Sequence, residues 1–313
     1  MTYDIVKQLP LDKRIITAIE EEIPSNITSI GAPWKWKQGY TGNGNIIAVL
    51  DSGCETKHPD LKERIVGGYN FTEDHNGDAS IYQDLNGHGT HVAGILAGSL
   101  NNTGVVGVAP KSNLLVLKTL DHTGTGSVKA LVEAINYAIN WRGYNNERVR
   151  VICMSLGLKS TYPELHQVIK RAKKNNISIV AAAGNEGDGN IKTKEYLYPS
   201  FYKEVISVGS INEVRKVASF SNTNKDVSIY APGVGIFSTS IDKGYTELSG
   251  TSMASPHVAG SIALLIEEYE RFWTRKITEE EIFRILMEHT KIIKTNEKVE
   301  YNILDLSSSM IGK

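Results

Sequence analysis

The sequence predicts an α/β protein, a single domain in which helices cover both faces of a doubly wound, mostly parallel sheet. Short continuous apolar runs, such as Ile46 to Leu50 and Val149 to Met154, have the length and composition of strands that are buried on both faces. They alternate along the chain with amphipathic stretches such as 128–141 and 165–172. This alternation is typical of parallel strands that are joined by helices.

The remaining elements continue the same alternation. A helix is expected from Val92, where small residues continue into an apolar stretch, and a buried helix from Ser252 to Ile266, which is almost wholly apolar. Residues 277–289 combine helical spacing with a charged face, which predicts a surface helix. Further short apolar runs predict strands at 114–117, 177–183, 205–208 and 227–230.

The two ends of the chain differ in composition from the middle. Residues 1–25 contain the Leu9-Pro10 pair and an acidic run at 20–22, and composition alone favours a solvated arm. The main domain is predicted to span 26–290. The last residues are polar, so 291–313 are expected to form a C-terminal extension.

Composition and charge exclude several classes of function. The 34 basic residues balance 35 acidic ones, giving a net charge of −1 over 313 residues, so no basic excess favours nucleic acid or anionic lipid. Charges interrupt the first twenty residues, and no run approaches the ~18 apolar residues of a membrane span, so neither a signal peptide nor a membrane partner is expected. Cys54 and Cys153 are too few for a disulfide framework, which predicts a reducing, cytoplasmic location.

Two polar sites attract attention because ligands of open α/β sheets bind at the carboxyl ends of the strands. Asp51 directly follows the strand run 46–50, and Ser52-Gly53 after it permits a sharp turn. His88 lies between two glycines at the start of a helical run, where its imidazole can be approached closely, as a general base requires. Taken singly, Asp51 could equally be a turn cap, and most isolated histidines are structural.

Two further sites lie beyond predicted strands or at a predicted helix start. Ser252 begins the long apolar helix, where unpaired N–H groups and the helix dipole can stabilise a developing oxyanion. Asn185 follows the strand 177–183, so its amide is expected at the same sheet edge as Asp51. An N-capping serine and a turn asparagine are the simpler alternatives for each segment alone. A zinc site on His88 and His91 is disfavoured, because no third ligand is evident.

Taken together, the four segments resemble the signature segments of the subtilisin-like serine proteases, the subtilases of peptidase family S8. Aspartate, histidine and serine occur in the chain order of subtilisin, and the resemblance covers about residues 30–270. The segments are Asp51-Ser52-Gly53, Gly87-His88-Gly89-Thr90-His91-Val92-Ala93-Gly94, Ala183-Gly184-Asn185 and Gly250-Thr251-Ser252-Met253-Ala254.

The resemblance implies an active serine endopeptidase with a role for each of the four residues. Ser252 would be the nucleophile, His88 the general base and acid, and Asp51 the group that orients the imidazole. Asn185 and the N–H of Ser252 would bind the oxyanion. A binding protein that has lost catalysis and a peptide ligase are the rival interpretations, but all four positions are intact and no large lid insertion interrupts the motifs.

The resemblance also implies which residues bind the polypeptide substrate. Two extended segments would sandwich the substrate chain through main-chain hydrogen bonds, which predicts broad specificity. They are Gly124-Thr125-Gly126 and Ser155-Leu156-Gly157. Glu186 and the segment 197–199 resemble the rim and base of the pocket for the residue before the scissile bond, with Leu197 bulkier than the residue usual there.

Calcium is the cofactor that the resemblance implies. Asp60 and the loop 100–105 are similar to the tight calcium site of the family, although the loop is one residue shorter than usual. The ligands expected there are Asp60, Leu100, Asn102, Thr103 and Val105. A weaker cation site is matched by the carbonyls of Ser200, Tyr202 and Val205, and an ordinary loop is the favoured alternative there.

The chain ends make the sequence most similar to the intracellular subtilisins of bacteria. The short arm containing Leu9-Pro10 is similar to an arm that lies back across the active site in those enzymes. Because proline lacks an N–H and has a fixed φ, it presents a scissile bond poorly, so the arm is predicted to inhibit the enzyme until proteolysis removes it. A homodimer is also expected from the resemblance, with 277–303 as the contact surface.

Overall fold

A central sheet of nine strands organises the molecule. The computed structural model describes residues 5–8, 15–16, 23–190, 193–294 and 300–307. The strands are β1 (Ile5–Gln8), β2 (Ile15–Ile16), β3 (Ile46–Asp51), β4 (Ile65–Asn70), β5 (Asn113–Lys118), β6 (Thr125–Ser127), β7 (Val149–Met154), β8 (Leu156–Gly157), β9 (Ser178–Ala182), β10 (Ile206–Ile211), β11 (Ile229–Pro232), β12 (Ile236–Thr239), β13 (Tyr245–Leu248), β14 (Thr290–Lys294) and β15 (Glu300–Leu304). The helices are α1 (Ser25–Ser29), α2 (Ala32–Lys37), α3 (His88–Ala97), α4 (Val128–Asn140), α5 (Pro163–Lys174), α6 (Thr251–Trp273) and α7 (Glu279–Glu288), with a 3₁₀ helix at Asp74–Gly77.

The order of the strands confirms the predicted doubly wound, mostly parallel sheet. The order is β14-β15-β11-β10-β9-β7-β3-β5-β4, and every neighbouring pair is parallel except β14 and β15. The strands β3 and β7 end side by side, because Leu50 is in register with Met154. Asp51 and Ser155 therefore emerge next to each other at one edge of the sheet.

Alternating side chains of the buried strands supply two separate cores. On β3, Ile47 and Val49 pack with the helices α3, α6 and α7 on one face, while Ile46, Ala48 and Leu50 pack with α4 and α5 on the other. All five side chains are buried, which explains why the strand appears in the sequence as a continuous apolar run.

The C-terminal extension predicted at 291–313 is wrong for the residues that the structure describes there. The strands β14 and β15 form an antiparallel hairpin, and β15 joins the central sheet through Tyr230 and Ile303. The prediction failed because this hairpin carries lysines and a glutamate on its exposed side chains, which hide the apolar period of a sheet-edge strand. The main domain thus continues to at least residue 307.

The N-terminal residues add strands to two small sheets. The strand β1 lies between β6 and β8 and is antiparallel to both, while β2 pairs with β13 in a sheet of order β12-β13-β2. The solvated arm that composition favours is thus wrong for residues 5–8 and 15–16. The Leu9-Pro10 pair lies outside the described residues. No helix in the described part of the chain has both the length and the apolar character needed to cross a membrane.

Candidate active site

Asp51 and His88 form a buried hydrogen-bonded pair at the carboxyl end of the sheet. Asp51 is the last residue of β3, and His88 is the first residue of α3, which packs against that face of the sheet. The His88 Nδ1–H donates to Asp51 Oδ1 at 2.7 Å, and both side chains are buried. Within the described residues, Nε2 of His88 has no hydrogen-bond partner. The ring is therefore oriented from one side with its second nitrogen available for a proton.

A second carboxylate, which the sequence reasoning missed, connects the loops that carry this pair. Asp84 is buried and accepts hydrogen bonds through both oxygens, including those from Ser52 Oγ at 3.0 Å and Thr90 Oγ1 at 2.6 Å. Ser52 Oγ in turn accepts from the N–H of Gly89, the residue after His88. An aspartate shortly before a helix start is a capping signal, which could have identified Asp84.

Lys118 is a further missed residue, and it fixes the turn after Asp51. Its buried Nζ donates to the carbonyl of Ser52 at 2.7 Å and to that of Leu120 at 2.9 Å, and it lies 2.9 Å from Asp74 Oδ2. The loop after β3 is thereby tied to the loop that leads to Gly124. A lysine that ends the apolar run 114–117 was the signal in the sequence, because a buried lysine requires partners of this kind.

Ser252 lies in the first turn of α6, at the place that the sequence predicts. Its Oγ donates to the carbonyl of Ser155 at 3.1 Å, and Ser155 Oγ lies 2.8 Å from the carbonyl oxygen of Ser252. Because Ser155 follows β7 and Asp51 ends the adjacent β3, the serine and the Asp51–His88 pair occupy neighbouring strand ends. The Ser252 hydroxyl here donates to the Ser155 carbonyl. Rotation of its Oγ toward His88 Nε2 would allow the proton transfer from serine to histidine that catalysis requires.

Asn185 is oriented by a neighbour of Ser252. The Asn185 Oδ1 accepts from both the N–H and the Oγ1 of Thr251, each at 2.9 Å. Thr251 Oγ1 also accepts from the N–H of Gly184 at 3.2 Å. Since the carbonyl side of the amide is occupied, its Nδ2 is the end left to donate to a bound group. Thr251 was part of the recognised motif, but its orienting role follows only from the fold.

The two predicted substrate-binding segments form the walls of a slot of strand width. Lys7 of β1 pairs with Thr125 on one side and with Gly157 on the other, and Gln8 pairs with Leu156. A Cβ at Gly126 would lie 2.1 Å from the Thr119 carbonyl oxygen, so this wall has no room for a side chain. Glycine is therefore required at 126 for this wall to pack against the turn that follows β5.

The predicted pocket residues lie beside this slot. Leu197 packs against Gly157 so closely that a Cβ on that glycine would lie 2.2 Å from a Leu197 methyl group. The segment is fixed by two backbone hydrogen bonds between Leu158 and Tyr198, at 2.8 and 2.9 Å. The exposed Glu186 pairs with Lys159 at 2.9 Å. The predicted rim thus carries a paired charge, and the predicted base carries a bulky leucine.

The Nε2 of His91 is engaged by two strand carbonyls, which does not favour a zinc site shared with His88. This nitrogen lies 3.0 Å from the carbonyl oxygen of Ile236 and 3.1 Å from that of Thr246, so this N–H is shared between β12 and β13. Burial, with the nearby His88 as a smaller cause, lowers the pKa of His91 to about 3. No group of three or more His, Cys, Asp or Glu side chains suited to a metal occurs in the described part of the chain.

Asp60, the carboxylate of the tight calcium site that the resemblance implies, is engaged by three protein donors. Asp60 Oδ2 accepts from the Val105 N–H and from the Tyr245 hydroxyl, both at 3.0 Å, and Oδ1 accepts from Asn101 Nδ2 at 3.2 Å. Burial and the Asp60 charge raise the pKa of Tyr245, which keeps the hydroxyl proton in place. Three donors thus share oxygens that a calcium ion would also use, and calcium at Asp60 stays a prediction from the sequence. Leu100, Asn102 and Thr103 complete the loop that this aspartate closes.

The loop predicted as a weaker cation site is closed by ordinary turn contacts. The carbonyl of Tyr202 accepts from the Val205 N–H at 2.9 Å, and Ser200 Oγ donates to the carbonyl of Leu197 at 2.7 Å. The carbonyl of Tyr202 is thus already engaged. A cation at this loop stays a prediction from the sequence, as does the alternative of a plain loop.

An oriented Asp–His pair beside a serine at a helix N-terminus, with an amide donor at the same edge, is the arrangement of a serine hydrolase. The sequence comparisons give the family. The model of the Subtilase family matches residues 42–307, and the chain belongs to that family. It is therefore a subtilisin-like serine endopeptidase.

Three relatives illustrate the similarity. The major intracellular serine protease of Bacillus subtilis (strain 168) is 46% identical over 270 residues, which cover 86% of this chain and 83% of that protein. The intracellular serine protease of Paenibacillus polymyxa is 46% identical over 281 residues, covering 90% and 84%. Subtilisin E of Bacillus subtilis (strain 168) is 40% identical over 277 residues, covering 86% and 69%.

Proposed function

We propose that this protease is made as an intracellular precursor and cleaves polypeptides through Asp51, His88 and Ser252, with Asn185 in the oxyanion hole. The observation that carries the proposal is the 2.7 Å bond from His88 Nδ1 to Asp51 beside the strand end that binds Ser252. In support, Asp51 ends β3 and Ser155, which binds Ser252, follows the adjacent β7, at the edge where open α/β sheets bind their ligands.

The proposed reaction is acyl transfer to Ser252 followed by hydrolysis. The Ser252 oxygen attacks the carbonyl carbon of the scissile bond while His88 Nε2 takes the hydroxyl proton. Asp51 stabilises the imidazolium, and Asn185 Nδ2 together with the Ser252 N–H stabilises the oxyanion. His88 then gives the proton to the leaving amine, the C–N bond breaks, and water repeats the sequence to release the acid.

The strand β1 supports inhibition by the N-terminal arm. It occupies the slot between β6 and β8, where a substrate would add as a strand, so arm and substrate compete for the same main-chain groups. It runs toward Ser155, the residue that binds Ser252 Oγ, as the acyl part of a substrate must. The next residues of the sequence are Leu9 and Pro10, and we propose that this proline hinders cleavage of the arm.

Main-chain pairing in the slot supports broad specificity. Two walls that bind backbone groups discriminate little between side chains, and only the pocket formed by Leu197 and Glu186 would add a preference. The proposed intracellular location is supported by the names of two relatives, which call those proteins intracellular. A homodimer through 277–303 is proposed on weaker support, since β14 is a terminal strand of the described sheet and exposes 58% of Ile292.

Labelling with a fluorophosphonate tests the proposed nucleophile. A six-residue recognition site for a site-specific protease is placed at 17–22, and the folded full chain is cut there so that the arm can dissociate. We expect the reagent to label Ser252 in the cut protein, and peptide mapping identifies the modified residue. Ser252→Ala should abolish labelling, whereas Ser261→Ala on the same helix should retain it. Labelling that survives Ser252→Ala would contradict the proposal.

The same cleavage tests inhibition by the arm. Hydrolysis of denatured casein is measured before and after cutting, with the Ser252→Ala chain as the blank. We expect activity to rise once the arm is cut and removed, and to fall again when a synthetic peptide of residues 1–20 is added back. Equal activity in the uncut and cut proteins would show that the arm does not inhibit.

A further inference from the structure

The second strand of the N-terminal arm marks a surface that the proposed reaction does not use. Residues Ile15–Ile16 form β2 and pair antiparallel with β13, Ile16 with Tyr245 and Ile15 with Thr246. On its other side β13 is paired with β12 over all four residues. The free side of β13 at Tyr245 and Thr246, here called the β13 edge, is therefore an edge that accepts an extended strand.

The β13 edge follows the slot in the direction in which the arm runs. Gln8, the last residue of β1, pairs with Leu156, next to the residue that binds Ser252 Oγ. The β13 edge is joined to Ser252 by a short connection, since Thr246 precedes it by six residues in the sequence. The arm enters the slot first and pairs with β13 afterwards, so the nucleophile falls between its two paired segments.

A polypeptide substrate could pair with the slot and with the β13 edge at the same spacing as the arm does. Six residues, 9–14, separate Gln8 from Ile15, and an extended chain advances at most ~3.6 Å per residue. A substrate that entered the slot in the direction of β1 would carry its residues beyond the scissile bond toward the β13 edge. A main-chain pairing there would be independent of side-chain identity, as in the slot.

The β13 edge is rigidly held to the helix that carries His88. His91 Nε2 contacts the carbonyl oxygens of both β12 and β13, and Ser238 Oγ donates to the carbonyl of His91 at 2.9 Å. Thr239 Oγ1 donates to the carbonyl of Thr90 at 2.7 Å. A strand that is fixed to α3 in this way binds a partner without having to be ordered first, which lowers the cost of binding.

The side chain of Tyr245 also holds the β13 edge in place. Its hydroxyl donates to the buried Asp60 at 3.0 Å, and its ring packs edge-on against His58 with the centroids 5.2 Å apart. The Phe237 ring of β12 is tilted by 31° relative to the Tyr245 ring, and the two centroids are 5.9 Å apart. The backbone of Tyr245 is thus anchored by groups that the arm does not supply.

We propose that the β13 edge is a binding site for an extended segment of the polypeptide substrate, on the C-terminal side of the scissile bond. The arm occupies this site in the full chain and a substrate occupies it after the arm has gone. This inference rests on the proposed proteolytic function and extends it, because it assigns to the enzyme a second strand-binding surface several residues away from the bond that is cut.

Binding of arm peptides tests the surface without catalysis. The full chain carrying Ser252→Ala and the cleavage site at 17–22 is folded, cut and freed of its arm, and fluorescent peptides are titrated by anisotropy. We expect the peptide of residues 1–20 to bind at least ~10-fold more tightly than that of residues 1–10. Methylation of the backbone nitrogens of Ile15 and Ile16 should remove the gain, because a methylated nitrogen cannot donate to a strand. Methylation at Ile19 and Glu20 is the matched control and should leave it unchanged.

Cleavage kinetics test whether a substrate uses the surface. Two quenched fluorescent peptides share all residues up to the third position after the scissile bond, and one continues for six more. We expect the longer peptide to have a KM lower by ~5-fold or more at equal kcat. Methylation of the backbone nitrogens of the sixth and seventh residues after the scissile bond should abolish this difference in KM. Equal KM values for all peptides would overturn the inference.

The two measurements separate failure of this inference from failure of the proposed function. If neither peptide is cut, the proposed proteolysis and the substrate role of the edge both fail. If both are cut at equal KM, proteolysis stands and the substrate role fails. If the arm peptides of residues 1–20 and 1–10 bind equally, the β13 edge is not a binding surface, whatever the kinetics show.

Discussion

Two buried aspartates, Asp51 and Asp60, differ in the groups that their carboxylate oxygens contact, and we propose a catalytic role for the first alone. Asp51 Oδ1 accepts from the His88 imidazole and from the Ser52 N–H, and its Oδ2 has no partner among the described residues. Asp60 has both oxygens occupied by hydrogen bonds from Val105, Asn101 and Tyr245.

The difference teaches that burial alone does not identify a functional carboxylate. A carboxylate that orients a histidine acts because its partner can gain a proton and the charge can respond. A carboxylate engaged by backbone, amide and phenol donors has no such partner near neutral pH, so it closes a loop instead. Changes at Asp51 should therefore alter the rate with little effect on folding, whereas changes around Asp60 should alter stability with little effect on the rate.

The largest effect is expected at Asp51. Asp51→Asn should lower kcat by about 10⁴-fold, because an amide favours the wrong tautomer of His88 and does not stabilise an imidazolium. The loss is measured on the cut protein with a fluorogenic peptide, and circular dichroism serves as the control for folding. A loss below tenfold would mean that the Asp51–His88 pair is not part of the catalytic relay.

A smaller loss is expected in the oxyanion hole. Asn185→Ala should lower kcat by ~10²–10³-fold, the cost of removing such a donor in a subtilisin. Thr251→Val removes the hydroxyl that accepts from Gly184 and donates to Asn185, so it should lower kcat by about tenfold at unchanged KM, since the amide then loses one of its two anchors. A rise in KM at constant kcat would instead assign Thr251 to substrate binding.

Three buried histidines away from the reacting atoms should make the stability of the protein depend on pH. Burial is the main cause that lowers the pKa of His91 to about 3 and those of His257 and His289 to about 4. Unfolded histidines titrate near 6.5, so between about pH 4 and 6.5 the unfolded chain binds more protons than the folded one. Stability should be complete above this window and fall with decreasing pH, by up to about 1.4 kcal/mol per pH unit for each histidine.

Urea unfolding at pH 7.5, 6.5 and 5.5 measures this slope. His257 donates through Nδ1 to the Met253 carbonyl and accepts through Nε2 from Asn26, at 2.8 and 2.7 Å, and a glutamine side chain can also donate and accept. His257→Gln should therefore reduce the slope by the share of one histidine. The same slope in the variant and the parent would show that His257 does not cause it.

The smallest effect is expected at the Asp60 loop. Tyr245→Phe should lower the free energy of unfolding by about 1 kcal/mol, because it removes one of three donors to a buried carboxylate while the ring is kept. Since protein donors close the loop, EDTA should leave the thermal midpoint of the parent chain unchanged. A midpoint that falls with EDTA and recovers with added calcium would instead support the calcium site that the sequence predicts.

The sequence predicted most of the fold, and the four residues that the proposed mechanism uses, for a clear reason. Continuous apolar runs specify strands buried on both faces, as β3 and β7 show, and the residue that ends such a run must emerge at the sheet edge. The helix at 277–289 could also be predicted from the sequence, because Thr278 and Glu281 form a capping box at its start. The hairpin of β14 and β15 was missed because exposed edge strands lack this pattern.

What the sequence by itself determined is local: which segments are buried strands, where they end, and which reactive side chains stand at those ends. Only the tertiary structure decided the long-range contacts, such as Asp60 with Tyr245 across 185 residues and the arm with β13. The physical reason is that such contacts depend on the three-dimensional path of the backbone and on a single hydroxyl or N–H at the right distance. No periodicity in the chain encodes either of these.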